Sequence, residues 1–235
     1  MGSNSAIENI YTDGSYLAKT GGTWHLEDSP SKARWIASML ARHVEVKPNT
    51  ICEIGCGAGG ILAELQKVLP DHITYTGYDI SPQAHTLSAR FSNPKCQFII
   101  GDAFADRSHY DLVLVMDVIE HVEDYFSFLR HTRQKGKWKL YHIPLDAYVS
   151  GILRGNNSWH SAGHLHMFTI ETALNSLQHT GHHVIDWVLT NGAVTTPRKT
   201  TREKVANLVR RPLAKISIKF AARLMGGYSM LILAK

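Results

Sequence analysis

No apolar run in this chain of 235 residues approaches the roughly 18 residues that a membrane-spanning helix needs. The stretch from Met1 to Ser15 is polar and lacks the apolar centre of a secretory signal, so none is expected. Cysteine is scarce, with only Cys52, Cys56 and Cys96. So low and odd a count argues against a disulfide framework and points to a reducing, cytoplasmic setting. Cys52 and Cys56 have no second cysteine pair to complete a metal site, so both read as small packing residues. Acid is nearly missing from one stretch. Between Pro197 and Met225 stand nine Lys or Arg residues against Glu203 alone, although the net charge of the whole chain is only +5. The remainder is therefore mildly acidic. A basic segment on an acidic body implies a local anionic partner, and no separate RNA module accompanies it, so nucleic acid is not the expected partner.

What is present is an ordinary globular mix, 44% hydrophobic and 19% charged, in a length that favours one domain with a sizeable core. Its most informative stretch is Ile51-Cys52-Glu53-Ile54-Gly55-Cys56-Gly57-Ala58-Gly59-Gly60. An apolar strand runs into a glycine cluster, and an amphipathic helix follows from Ile61 to Leu69. Glycines at such a turn let a ligand lie against the main chain, and the helix aims free N–H groups at it. Gly55, Gly57 and Gly60 satisfy the dinucleotide pattern G-x-G-x-x-G, with Asp79 near the distance of a ribose-binding acid. Glu53, two residues before the first glycine, offers the alternative E-x-G-C-G-x-G.

The rest of the chain alternates. Ser29 reads as an N-cap and Pro30 as the first residue of a helix carrying Ile36, Met39 and Leu40, which covers the sheet or closes over the ligand. Strands are expected over 72–78, 96–100, 110–116 and 138–143, with Ser81-Pro82 opening a helix and Val122, Phe126 and Leu129 marking another. Near-continuous apolar strands between helices mean a parallel sheet buried on both faces, with ligands at the carboxyl ends of its strands. The connection 145–168 is long enough to be functional. Thr169 caps a helix that Gly181 ends, a strand covers 184–189, the basic segment reads as helical with a break near Pro212, and a last strand spans 228–234.

In order, the chain carries E-x-G-C-G-x-G, Asp79 after the second strand, Gly101-Asp102-Ala103 after the third, and Asp117-Val118-Ile119-Glu120-His121-Val122 after the fourth. This order resembles the class I S-adenosylmethionine-dependent methyltransferases, in the small-molecule branch that includes ubiquinone-biosynthesis-type enzymes. A dehydrogenase explains the first two motifs but not the others. The resemblance covers roughly residues 45–190. It implies a three-layer, Rossmann-like α/β fold with a seven-stranded, mostly parallel sheet and an antiparallel last strand. A single domain of 1–235 is expected, comprising an N-terminal cap (1–48), a cofactor-binding core (49–190), a basic helical insertion (191–226) and the last strand (227–235).

It also implies S-adenosylmethionine as cofactor, with S-adenosylhomocysteine (SAH) as product. The resemblance places Glu53, Gly55, Cys56, Gly57, Asp79, Ile80, Asp102, Ala103, Met116 and Asp117 at that cofactor. Gly55 and Gly57 allow close approach. Asp79 takes the ribose hydroxyls, and Ile80 packs on adenine. Asp102 accepts from the adenine amino group while the Ala103 N–H donates to a ring nitrogen. Glu53 orients the turn or meets the ammonium through water, and the backbone near Met116 and Asp117 meets the amino acid end. The structural alternative for Asp79 and Asp102 is a strand-end acid capping the next helix.

Methyl transfer to oxygen or nitrogen gains from alignment and from a base. His164 and His166, two apart on the long loop with Trp159 and His160, are the candidate base or substrate ligand, and His142 and Asp146 are further candidates. They could equally orient the loop. Trp24 and His25 are candidate lid residues. Asp117, Glu120 and His121 come together if their segment opens a helix, an alternative Mg²⁺ or Zn²⁺ site, although metal-binding relatives have Glu at the first position. In the basic segment, Val205, Leu208, Val209, Ile216, Phe220 and Leu224 form a helical apolar stripe. A lid packing that stripe on the body is the first reading. An anionic acceptor, such as a sugar phosphate or a nucleotide-linked or lipid-linked group, and an anionic membrane surface are the others. Two alternatives to small-molecule methyl transfer stand beside it: a protein that binds S-adenosylmethionine without catalysis, and an RNA 2′-O-methyltransferase.

Overall fold

The computed structural model describes residues 11, 13–155, 163–192 and 201–235, with the side chains of Lys19 and of 201–206 left aside. Seven strands form one sheet: β1 Thr50–Ile54, β2 Thr74–Asp79, β3 Cys96–Ile100, β4 Tyr110–Met116, β5 Gly136–Pro144, β6 Val184–Thr190 and β7 Ser229–Ala234. Their order is β3-β2-β1-β4-β5-β7-β6. β1 pairs in parallel with β2 and β4, β2 in parallel with β3, and β6 and β7 are antiparallel. The described helices are α1 Ser15–Lys19, α2 Ser29–Arg42, α3 Gly60–Val68, α4 Pro82–Ser88, α5 Tyr125–Lys135, α6 Val149–Leu153, α7 Ile170–His179, α8 Thr201–Ile216 and α9 Ile218–Leu224. This is the expected α/β architecture with an antiparallel last strand. No described helix is long and apolar enough to cross a membrane.

Two compact units share the chain. The first comprises Met1–Met116 with His131–Leu140. Its centre is β1 against β4, where Ile51 lies beside Leu112 and Ile54 beside Val115. Both strands are buried except at Thr50 and Asp111. Asp111 fixes the register: its Oδ2 accepts the backbone N–H of Asn49 at 2.8 Å and of Thr50 at 3.1 Å. β3, at the sheet edge, alternates buried and exposed positions over Cys96–Phe98. Ser81 caps α4, accepting the Ala84 N–H, with Pro82 at the first helical position. All three cysteines are free and buried.

The expected cap of α2 differs. Leu26–Asp28 form a 3-10 turn that runs directly into the helix, and Asp28, already helical at φ −85° and ψ −20°, occupies the cap position without capping the helix through its side chain. Ser29 is the first residue of the helix and packs where a Cβ on Gly60 would stand.

The second unit comprises Asp117–Arg130 and Tyr141–Lys235. β7 is buried from Met230 to Ala234. α7 begins with the expected Thr169 cap, completed by a reciprocal bond from Thr172, and Gly181 follows it at φ +85°. Two expectations for the basic segment fail. Pro212 lies inside α8, and the break falls five residues later at Ser217, whose extended backbone leaves the helix and whose hydroxyl accepts the Phe220 N–H to start α9. A proline removes one donor, whereas Ser217 offers the next helix a cap, so the chain turns where the new donors are met. Nor does the apolar stripe pack inward. Leu208 is 74% exposed, Ile216 83% and Phe220 54%, while Asn207 and Arg210 are buried. α9 seats itself by Ala221 and Ala222 instead. The side chain of Val205 lies outside the described residues.

Candidate functional site

In the first unit, the turn after β1 is anchored from β2: the Tyr78 carbonyl accepts the N–H of Gly55 at 2.8 Å and of Cys56 at 3.0 Å. Gly57, at φ +53°, then brings its N–H onto Asp79 Oδ2 at 2.7 Å. Asp79 Oδ1 accepts the Ser81 N–H at 2.9 Å. The acid thus ties the glycine turn to the head of α4, and each oxygen keeps acceptor capacity. Burial raises its pKa, against the backbone donors that lower it. Ile80 beside it is 47% exposed. One strand over, the Gly101 N–H donates to the Asp79 carbonyl, Asp102 Oδ1 accepts the Phe104 N–H at 2.9 Å, and Ala103 is buried. Met116 is buried at the end of β4.

Two features of this cradle are unexplained by packing. Glu53 is only 1% exposed, and its Oε2 has no hydrogen-bond partner. Burial pushes its carboxyl up to about 8, helped by Asp79 and opposed by Lys32. The second is the Trp24 indole. A Cβ on Gly57 would stand 2.6 Å from its Cδ1. Trp24 and His25 both adopt left-handed backbone, φ 50° and 57°, and Trp24 contacts Tyr16 edge-on at 4.9 Å. Gly57→Ala therefore meets two penalties, a positive φ and the indole. It is expected to destabilise the protein by on the order of 1–3 kcal/mol. Urea denaturation of Gly57→Ala and of Gly57→Ala/Trp24→Ala checks this: the second variant should recover the steric share only.

In the second unit, Asp117 follows β4 at φ +58°. That conformation sends its side chain to His142, whose Nδ1 lies 2.6 Å from Oδ1, while its N–H donates to the His142 carbonyl at 2.9 Å. His142 Nε2 meets Thr190 Oγ1 at 2.8 Å, so both ring nitrogens are engaged. Asp117 is therefore not grouped with Glu120 and His121. The segment makes a 3-10 turn, Ile119–His121, rather than opening an α-helix at Asp117.

His164 joins Glu120 and His121 instead: one ligand atom from each lies within 4.8 Å of the others. His121 Nδ1 donates to the Gly163 carbonyl at 3.0 Å, and His164 Nδ1 lies 2.6 Å from Asp146 Oδ2. These bonds place the ring protons on Nδ1 and leave the two Nε2 lone pairs as base or ligand. Burial pulls His121 down to about 4. Glu120 is fully buried, and its carbonyl accepts the N–H groups of Leu165 and His166, which stitches the loop to the turn. His166 Nε2 donates to the Val122 carbonyl at 2.9 Å, a loop-orienting bond. Trp159 and His160 lie outside the described residues. Sequence reasoning missed Thr190 and the Gly163 carbonyl; a strand-end threonine and a backbone oxygen carry no pattern. It had Asp146 only as a secondary candidate.

A curated relative, norajmaline N-methyltransferase from Rauvolfia serpentina, is 32% identical over 91 residues, which cover 36% of this chain and 31% of that protein. The chain thus spans about a third of that relative's length. Among solved structures, the plantazolicin methyltransferase BpumL in complex with a monoazolic desmethylPZN analogue and SAH superposes with a TM-score of 0.64 at 15% identity, covering 97% of this chain and 92% of that one. Magnesium protoporphyrin IX methyltransferase from Synechocystis PCC 6803 with bound SAH gives 0.59 at 13% identity, covering 100% and 89%. Both have the same fold. Residues 25–186 match the family described as "Methyltransferase domain", and with more than half of its length so matched, the chain belongs to that family.

Proposed function

We propose that this chain transfers a methyl group from S-adenosylmethionine to an oxygen or nitrogen of a small, anionic acceptor. The observation that carries the reading is the buried Glu53 carboxyl, with an oxygen lacking a partner, at the base of the glycine turn. A buried polar atom left unsatisfied is costly, and a cationic ligand group at the turn relieves it. These residues fit the cofactor. Asp79 keeps acceptor sites for ribose hydroxyls, exposed Ile80 offers a face for adenine, and Asp102 has a second oxygen beyond the one on Phe104.

When bound, S-adenosylmethionine supplies an electrophilic methyl group. The chain's own contribution is alignment and proton removal. Asp146 holds His164 in the tautomer with the proton on Nδ1, so that Nε2 takes the acceptor's proton. His142, locked between Asp117 and Thr190, is a positioning residue. One further reading is favoured by a specific observation. Glu120, His121 and His164 can together hold a divalent cation, with Asp146 and the Gly163 carbonyl orienting the two imidazoles from behind.

Titration calorimetry with S-adenosylmethionine, SAH and NAD⁺ tests the cofactor. The first two are expected to bind and NAD⁺ not. Asp79→Ala, which loses the tie to Gly57 as well as the ribose acceptor, should weaken binding by at least about tenfold. Binding of NAD⁺ alone would sink the assignment.

A further inference from the structure

Arg210 is out of keeping with its helix. α8 exposes Leu208 and Val209 and buries Asn207 and Arg210, the latter at 7% exposure. An arginine cannot shed its charge, and a buried guanidinium is stable only with its donors and its charge both met. Here one amino nitrogen donates to Asn207 Oδ1, a neutral partner. Nε is buried with no acceptor. Among the described residues no carboxylate pairs with Arg210, although Arg223 on α9 has Glu171.

A second buried donor lies within its electrostatic reach. The Tyr228 hydroxyl, on a side chain 2% exposed, is buried and donates to no acceptor. The Asn191 amide is placed to donate to the phenol oxygen, which leaves the O–H itself unused. Tyr228 is held in place by main chain, its carbonyl accepting the Leu145 N–H at 2.9 Å. A cation with an unused N–H and a phenol with an unused O–H are both donors, so neither can satisfy the other's donor. What they lack in common is an oxygen acceptor carrying negative charge.

We propose that Arg210 and Tyr228 form a buried oxyanion subsite that binds the phosphate or carboxylate group of the acceptor. This rests on the reading of the chain as a methyltransferase with an anionic acceptor, and it names the residues that recognise the charge. A guanidinium edge and a phenol hydroxyl together suit either a tetrahedral or a planar oxyanion.

The test uses the whole protein, with inorganic phosphate and acetate as separate probes at constant ionic strength, against wild type, Arg210→Met and the exposed neighbour Arg211→Met. Saturable binding of phosphate or acetate is expected in wild type and in Arg211→Met, with at least a tenfold loss in Arg210→Met. Whichever probe binds tells a phosphate acceptor from a carboxylate one. Arg210→Met should also unfold at an equal or higher temperature without anion, because methionine fills the site without a charge; a purely structural arginine gives a lower one. No saturable binding of either probe, equal binding by Arg210→Met, or a clearly less stable Arg210→Met each overturns the inference. S-adenosylmethionine titrated into the same three proteins should bind alike. Its failure in wild type strikes the cofactor reading alone, and anion binding is judged separately.

Discussion

Glu53→Gln is expected to stabilise the ligand-free protein at pH 8 by a few kcal/mol, leave it unchanged near pH 4.5, and weaken S-adenosylmethionine by about 10- to 100-fold. The cause is burial, which pushes the folded-state carboxyl up to about 8 from an ordinary 4.5. Between those values the unfolded chain has lost the proton and the folded chain keeps it. Stability therefore falls as pH rises through that window, by at most about 1.4 kcal/mol per unit. Glutamine removes the slope. His121 acts in the opposite sense. Its folded value of about 4 lies below the ordinary 6.5, so the unfolded chain binds the extra proton and stability is lost as pH falls from 6.5 towards 4. In wild type the two slopes oppose each other up to pH 6.5, and only the Glu53 decline remains above it. Glu53→Gln should rise to pH 6.5 and then stay flat. Urea midpoints at pH 5, 6.5 and 8 measure this. A parallel decline of both proteins from 6.5 to 8 would assign the slope elsewhere. If the cofactor's ammonium meets Glu53, binding draws the ionised form and releases a proton. Calorimetry in two buffers of different ionisation enthalpy reads that proton directly.

The second large effect is on turnover. His164→Ala is expected to lower kcat by about 10²- to 10⁴-fold, with S-adenosylmethionine affinity unchanged. Asp146→Asn should follow by about 10²-fold or more, since an amide no longer fixes the ring proton on Nδ1. SAH release against a panel of phosphorylated and carboxylated acceptors supplies the assay. The same variants separate base from metal. For a base, Glu120→Gln retains far more activity than His164→Ala, EDTA has no effect, and the isolated protein holds no stoichiometric metal. For a divalent cation, Glu120, His121 and His164 variants fail together, EDTA inactivates, and elemental analysis finds about one ion per chain. No turnover with any acceptor, despite tight cofactor binding, would favour a binding protein over an enzyme.

How much of this was legible in the chain depended on whether a feature is local. β1, β3 and β4 are largely apolar runs ended by Gly or Asp, and they fell where the pattern put them, whereas the more polar β2 starts at Thr74, two residues later than expected. Ser81-Pro82, Thr169 and Gly181 are short-range signals and behaved as such. Asp117 was not legible. A positive φ at a non-glycine residue depends on what its side chain reaches, here His142, 25 residues on. The pairing of His164 with Asp146 bridges 18 residues of loop and has no periodicity. In α8 the apolar spacing was read correctly but its direction was not. Periodicity identifies a stripe, whereas the side that faces inward is set by what lies there, and there it is Arg210.

The place of β7 has a consequence for how the protein is made. This last strand is fully buried from Met230 to Ala234 and sits between β5 and β6, which are not neighbours without it. While the ribosome is still adding residue 230, β5 has an open edge and β6 has nothing to pair with. The nascent chain can order its first four strands early, but this part of the sheet must wait until the end of β7 has left the exit tunnel. An unpaired, apolar strand edge during that interval is an invitation to wrong partners. A stop codon within β7 should therefore yield aggregates rather than a slightly weakened fold.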